Sequence, residues 1–376
     1  MKSGSIKQEF NTLAGKYRPL LVLYPEIADG SQRKDHHRQG HGIGSTPPLD
    51  QDYHPRDIRL ILDHARLPDN KGGSSREQVL EAMGNNEVDY VDLIDKMGPK
   101  DVDKFWRVYA QIKNKDKNPE YHRKAYARIV QGHQRFESYI LIQYWLPYFF
   151  DDWANVHEMD WEGVSIILKN SETIEEPVAC VFNAHAGAFR KPWSQVHKVD
   201  DSGNKNPDGL HPVAYIANGS HATYFSDYPT SFNISEHYVG SMLRILIRLA
   251  KIGKEFIDYV PKFEEGMKCF PEVEVIPEPD NFGRWSGDWR WLNFEGRWGS
   301  PVQLSVWERI IARIPGLRTI SKMFKRPIRE AGPSGPNARI DSCWKQPFDW
   351  VNLECIDAPE TRDWLGELTG TSDNEL

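Results

Sequence analysis

His157-Glu158-Met159-Asp160-Trp161-Glu162-Gly163-Val164-Ser165-Ile166-Ile167-Leu168 is the stretch on which the fold of this chain turns. Side chains alternate faces along a strand, so Asp160, Glu162, Val164, Ile166 and Leu168 all point the same way. Three apolar side chains demand burial and carry two carboxylates in with them. Isolated buried charge is costly, so the carboxylates need an arginine, a lysine or a cation beside them.

The neighbouring segments extend the pattern. Upstream, Glu137 to Phe150 is a β-rich aromatic run with Tyr139, Ile140, Ile142, Tyr144, Trp145, Tyr148, Phe149 and Phe150. Downstream, Pro177 to His185 and His211 to His221 also read as strands, separated by polar turns that include the loop from Asp200 to Gly209. The second strand places Ala179, Val181, Asn183 and His185 on one face; the third places Val213, Tyr215, Ala217, Gly219 and His221 on one face. Each ends on a histidine in phase with apolar positions. If the strands are neighbours in register, His157, Asp160, Glu162 and His185 converge on one divalent cation. Asp151 or Asp152, just upstream, adds a further oxygen, and Asp152 joins the candidate ligand set. Carboxylate oxygen mixed with imidazole nitrogen suits Zn, Mn or Fe and is less typical of Ca or Mg; spacing alone does not fix the metal, which is left open among Zn, Mn, Mg and Ca. The competing reading pairs Asp160 and Glu162 with a buried arginine such as Arg128 or Arg297 and leaves the histidines as strand-end caps.

Composition narrows the classes. The 376 residues are 39% hydrophobic and 27% charged, the balance of a globular chain, and no run of about 18 apolar residues occurs to span a bilayer as a helix. Lys plus Arg total 47 against 54 Asp plus Glu, a net charge of -7, so nucleic acid is not an expected partner. The four cysteines, Cys180, Cys269, Cys343 and Cys355, have neither metal-type pairing nor the density of a disulfide framework. They fit a reducing compartment. Met1 to Leu13 carries no apolar core of a secretory signal, so a cytoplasmic chain, peripheral to membranes at most, is expected.

Three regions follow. Residues 1–136 read as a mainly helical portion with an early strand within residues 17–25, a His/Gly/Pro-rich loop from Gly30 to Asp52, a helix opened by Pro55, and helical patterns over Ser75 to Met83, Tyr90 to Met97 and Lys100 to Lys113. Residues 137–350 read as a β core with helical insertions near 235–260 and 302–326, both with basic faces, and residues 351–376 as a tail. The fold class expected is α+β, an antiparallel β-sandwich with a helical N-terminal portion and inserted helices. No Gly-rich phosphate loop, Gly-x-Ser-x-Gly elbow or Cys-x-x-Cys pair offers a rival chemistry.

At these residues the chain resembles the family of vacuolar protein sorting-associated protein sixty-two. The resemblance rests on Tyr144-Trp145, on residues 157–162, on Asn183-Ala184-His185-Ala186-Gly187, on residues 211–224, on Gly296-Arg297-Trp298-Gly299, and on Gly332-Pro333-Ser334-Gly335-Pro336 with Trp344. More distantly it is similar to the necrosis- and ethylene-inducing-like toxins, whose heptapeptide reads Gly-His-Arg-His-Asp-Trp-Glu. Val156, Glu158 and Met159 depart from that heptapeptide, while His157, Asp160 and Glu162 match its metal-ligand positions. The likeness implies a β-sandwich that binds a divalent cation and attacks membranes. The function expected is a divalent-metal-binding protein acting at membranes or lipid headgroups, with Trp153, Trp161 and Trp193 at the rim of the site, or else simply in the core, the reading that suits Trp161 better, and with the basic helical faces adding attraction to anionic lipid. A metal-dependent hydrolase of phosphodiester or ester bonds, with His221 or His211 as general base, is the alternative. A protein-binding scaffold with a purely structural acidic cluster is the third reading.

Overall fold

The structure is a computed structural model that describes residues 3–26, 53–68, 73–93, 106–111, 121–152, 157–170, 175–184, 187–227, 230–233, 255–300, 332–339 and 343–351. In chain order the elements are α1 (Ser3–Lys16), β1 (Leu20–Leu23), α2 (Ile58–His64), α3 (Arg76–Gly84), β2 (Tyr90–Val91), β3 (Lys124–Gln131), β4 (Tyr139–Asp151), β5 (His157–Asn170), β6 (Glu175–Ala184) and β7 (Gly187–Pro192). They continue with β8 (Lys198–Val199), β9 (His211–Ile216), β10 (Thr223–Tyr224), β11 (Thr230–Asn233), β12 (Glu255–Asp258), β13 (Met267–Cys269), β14 (Glu272–Val275), β15 (Arg297–Trp298) and α4 (Pro347–Val351).

Two sheets face each other. The larger has the order β14-β3-β4-β5-β6-β7, and the smaller the order β10-β9-β1-β13 with β8 also on β9. β4 and β5 form the long central ladder, running from Tyr139 opposite Lys169 to Asp151 opposite His157. Between the sheets, Ile142, Tyr144, Leu146, Val164, Ile166, Leu168, Cys180 and Phe182 meet Leu21, Leu23, Ala214 and Ile216. Burying side chains such as Val164, Ile166 and Leu168 stabilises the fold by about 1.5–3 kcal/mol each. A one-residue slip of β5 would turn all three outward, so the register is firmly set. That same register carries Asp160 and Glu162 inside, opposite Tyr148 and Leu146.

The outer face of the larger sheet is covered by α2, α3 and an aromatic cluster in which Trp145 and Trp161 pack with Trp291, Trp298 and Trp344. Asp57 caps α2, accepting a hydrogen bond from Arg59 N–H, and Ser75 with Gln78 forms a capping box on α3. The two late glycine-bearing motifs meet here: Trp298 N–H donates to the Pro333 carbonyl at 2.9 Å. Gly332 permits it, since a Cβ there would lie 1.8 Å from the Trp298 carbonyl oxygen.

The α+β sandwich matches the expected class, and several local readings are corrected. Tyr90 and Val91 form a short strand parallel to β15, where a helix from Tyr90 to Met97 was expected; both are strand-favouring residues. Residues 255–258 are strand β12, paired antiparallel with β11, and not the end of a helix over 235–260. The third expected strand stops at Ile216, because Asn218 and Gly219 turn the chain, with Gly219 at φ +80°. That strand lies in the smaller sheet and is not a neighbour of β6. β1 and β3, from the N-terminal portion, are built into the two sheets. The loop from Gly30 to Asp52, most of the 235–260 insertion, the 302–326 insertion and the 352–376 tail lie outside the described residues. No helix among the described residues is long and apolar enough to cross a membrane.

Candidate metal centre

The site sits at one end of the sandwich, where the far ends of β4 and β5 meet the turn between β9 and β10. In an unbroken strand His157, three residues from Asp160, would face the opposite side. Met159 prevents this by adopting φ +52°, in the left-handed region. The inversion shows in the neighbours. Glu158 turns to the outer face, where its Oε2 accepts hydrogen bonds from Leu93 N–H at 3.2 Å and Ser300 N–H at 2.9 Å. His157 is thereby brought to the side of Asp160.

One ligand atom from each of Asp151, His157 and Asp160 lies within 4.8 Å of the others, and all three residues are buried. A carbonyl oxygen only accepts, so the 2.6 Å contact between His157 Nδ1 and the Met159 carbonyl puts a proton on Nδ1. Nε2 is then the nitrogen that faces Asp151, at 3.3 Å from Oδ2. In a neutral ring that nitrogen is a lone pair, and a lone pair facing a carboxylate oxygen calls for a second proton or a cation between them. The backbone carbonyl thus does for His157 what outer-shell acceptors do for metal-ligating imidazoles.

Asp160 is held from two sides. Its Oδ1 accepts from Trp161 N–H at 2.8 Å and its Oδ2 from His221 Nδ1–H at 3.1 Å. Burial pushes the Asp160 carboxyl up, yet the His221 hydrogen bond, the charges of His221 and His157 and the Trp161 N–H together hold it below the ordinary value. The His221 ring lies flat against Tyr148, centroids 3.9 Å apart and planes 10° apart. Glu162 is the opposite case. Burial first, then the charges of Asp160, Asp151 and Asp258, push its carboxyl well above the ordinary value against the opposing charge of Arg339. Its Oε2 is buried without a hydrogen-bond partner among the described residues, as is the Tyr148 hydroxyl.

These observations fit a dication. Among the described residues, Asp151, Asp152, Asp160, Glu162 and Asp258 are all buried at this end, together with the imidazoles of His157 and His221 and with Arg339, whose guanidinium bonds to the Trp161 carbonyl at 3.1 Å. An ion beside Asp151, His157 and Asp160 would place positive charge among these carboxylates and close to Glu162, whose Oε2 is buried without a hydrogen-bond partner among the described residues. The trio is not sealed: side-chain exposures are 11% for Asp160, 8% for His157 and 5% for Asp151.

Of the residues expected at the site, His157 and Asp160 belong to the trio and Glu162 stands beside it in the same buried end. Asp151 supplies the third ligand atom; Asp152 is buried next to it and bonds through its N–H to the Gly219 carbonyl at 3.3 Å. His185 and Trp153 lie outside the described residues. His221 touches Asp160 from the turn after β9. His211 lies at the other end of β9, five residues and about 17 Å of strand from Ile216. There its ring nitrogens are engaged by the Arg18 carbonyl and Asp201, each at 2.8 Å. Trp161 is a core residue stacked on Trp291 and not a rim residue, and Trp193 is half-buried against Tyr17. Neither arginine of the competing reading reaches the carboxylates: Arg128 bonds to Gln143 and the Trp344 carbonyl, and Arg297 is exposed on β15. The signal for Asp151 was the β4–β5 ladder itself, which sets Asp151 opposite His157.

No family model matches the chain, and no curated protein matches it. Among solved structures the chain is similar to NLPPya in complex with mannosamine, with 24% identity over 27% of this chain and 45% of that one and a TM-score of 0.21. It is similar to necrosis and ethylene inducing protein 2 from the causal agent of cocoa's Witches Broom disease, with 23% identity over 28% and 46% and a TM-score of 0.21. A third likeness is to the non-toxic HaNLP3 protein, with 12% identity over 58% of this chain and 69% of that one and a TM-score of 0.26. The match spans less than half the length of the first two. These neighbours carry the name of the more distant resemblance drawn from the sequence, and the vacuolar protein sorting resemblance finds no support in them.

Proposed function

We propose that this chain binds one divalent cation through Asp151, His157 and Asp160, with Glu162 and the other buried carboxylates supplying counter-charge, and uses it to engage an oxygen-rich ligand such as a membrane headgroup. The observation that carries the reading is the orientation of His157: Nδ1 is spent on the Met159 carbonyl, so Nε2 is directed at the two aspartates. An ion held there by three protein atoms keeps coordination positions for outside oxygens, and the partial exposure of the trio gives a ligand a way to reach them. When bound, the ion supplies positive charge and Lewis acidity toward phosphate or hydroxyl oxygen. His157 and Asp160 orient it. Tyr148 and the surrounding apolar core keep bulk water from the inner side, which strengthens each charge interaction.

The test is calorimetric titration of the metal-stripped chain with Mn2+, Zn2+, Mg2+ and Ca2+, followed by sedimentation with vesicles containing phosphoinositide or glycosylated headgroups. Binding of one ion per chain, lost in Asp160→Asn and His157→Ala, is expected, together with vesicle binding abolished by chelator. No stoichiometric ion in the wild-type chain would overturn the cation reading. Ion binding without metal-dependent vesicle binding would overturn the headgroup part. Turnover of phosphodiester substrates that vanishes in His221→Ala would replace that part with hydrolysis.

A further inference from the structure

The turn at residues 217–222 is fastened more heavily than a connection between two strands requires. Ala217 N–H donates to the Ala222 carbonyl and Asn218 N–H to the Tyr259 carbonyl, each at 2.9 Å, while Asp152 N–H reaches the Gly219 carbonyl at 3.3 Å. Ser220 Oγ donates to Asp258 Oδ1 at 2.8 Å, and the Tyr224 hydroxyl donates to Asp258 Oδ2 at 2.6 Å. Asp258 closes β12 and has no solvent exposure. Its carboxylate is therefore gripped by hydroxyls on both sides of His221 in the chain. Between those anchors His221 holds φ +55°, a conformation a non-glycine residue keeps only where its surroundings over-determine it. What the strained backbone delivers is Nδ1 of His221 against Asp160 Oδ2.

We propose that Asp258 is a positioning residue of the cation site: through Ser220 it locks the 217–222 turn, fixes the His221–Asp160 hydrogen bond, and so presets the direction in which Asp160 offers its carboxylate to the ion. The inference rests on the cation reading above and assigns Asp258 no contact with the ion. It also explains why a charged residue sits fully buried on β12, where an apolar one would cost nothing to desolvate.

Loss of an outer-shell partner of a metal ligand costs about 10–100-fold in affinity. The test is Mn2+ titration of the full chain by calorimetry, with thermal unfolding of each metal-free variant as the check on folding. Ser220→Ala and Asp258→Asn are expected to weaken Mn2+ binding by about tenfold or more, and Ser220→Thr, which keeps the hydroxyl, to restore it. The decisive readout is coupling. In a His221→Ala background Ser220→Ala should cost nothing further, because the hydrogen bond from His221 to Asp160 is already gone, whereas a merely structural role gives losses that add. Tyr224→Phe, which removes the other hydroxyl that holds Asp258 and changes no charge, stands in if Ser220→Ala fails to fold. Wild-type binding matched by every variant, or additive losses in the double variant, overturns the proposal while leaving the cation reading intact. Absence of Mn2+ binding by the wild type overturns the cation reading itself.

Discussion

His54 makes the acid stability of this chain calculable. It lies fully buried just before α2, and both its ring nitrogens are engaged. Nε2–H donates to the Tyr24 carbonyl at 2.9 Å, and Nδ1 accepts from Arg123 Nε–H at 2.9 Å. A ring that must accept on one nitrogen is neutral. Burial, against the attraction of Glu26 and with the charges of Arg123 and Arg56 adding to it, lowers its pKa from 6.5 to about 4. The unfolded chain therefore takes up the proton first. The contribution is intact above pH 6.5 and drains away as the pH falls toward 4. At about 1.4 kcal/mol per pH unit, the full loss is about 3 kcal/mol, of which about 2 kcal/mol is gone by pH 5. A glutamine can donate to Tyr24 and accept from Arg123 without titrating. His54→Gln should thus start somewhat less stable at pH 7, through imperfect packing, and lose less on acidification. Urea midpoints for both proteins at pH 7.5, 6, 5 and 4.5, in chelator so that metal loss does not contribute, give the two slopes. Parallel curves across that window would refute the assignment of the acid loss to His54.

Three further outcomes test the site and its support. Glu162→Gln removes a buried charge whose carboxyl is pushed up in the folded state, so the wild type is penalised as pH rises and the variant is not. The metal-free variant should be more stable than wild type at pH 8, with the difference closing at pH 4.5, while its Mn2+ affinity falls; chelator-treated melts and calorimetry read the two effects. Met159→Val places a β-branched residue at φ +52°, and should cost about 1–3 kcal/mol in urea unfolding and weaken Mn2+ binding as His157 turns away. Met159→Gly, which suits that φ, should keep the binding even though it gives up core packing. Gly299→Ala would bring a Cβ to 2.8 Å from Glu158 Cβ and 2.9 Å from Gly332 Cα at φ +140°, and a lowered melting temperature is expected.

Why β5 was legible and the site only half so follows from two backbone conformations. Alternation along Asp160, Glu162, Val164, Ile166 and Leu168 is a pattern of side chains, and burial of the apolar three enforces it wherever the strand is paired. The same rule, applied one step further, would put His157 on the wrong face, and applied to the segment 211–221 it carries a strand through to His221. The backbone departs from that rule at two non-glycine residues with positive φ: Met159, which keeps His157 beside Asp160 where the ligand set expected it, and His221, beyond the true end of the strand. Nothing in a methionine or a histidine announces that conformation; at Met159 it goes with the local bond from His157 Nδ1–H to the Met159 carbonyl, and at His221 with the tertiary Asp258–Ser220 anchor. Asn218-Gly219 did announce the turn, and β-strand phase was the weaker signal there. Asn86 and Gln134 share this left-handed backbone in turns away from the site, but at Met159 and His221 it delivers an imidazole to Asp160. Strain of this kind persists only where the rest of the fold holds it in place, and here the holding groups are themselves buried and polar. A packed hydrophobic sandwich would have been simpler with Leu at Asp258 and a regular strand through Met159. The retained cost is the strongest physical argument that this end of the molecule is built to present Asp160 and His157 together.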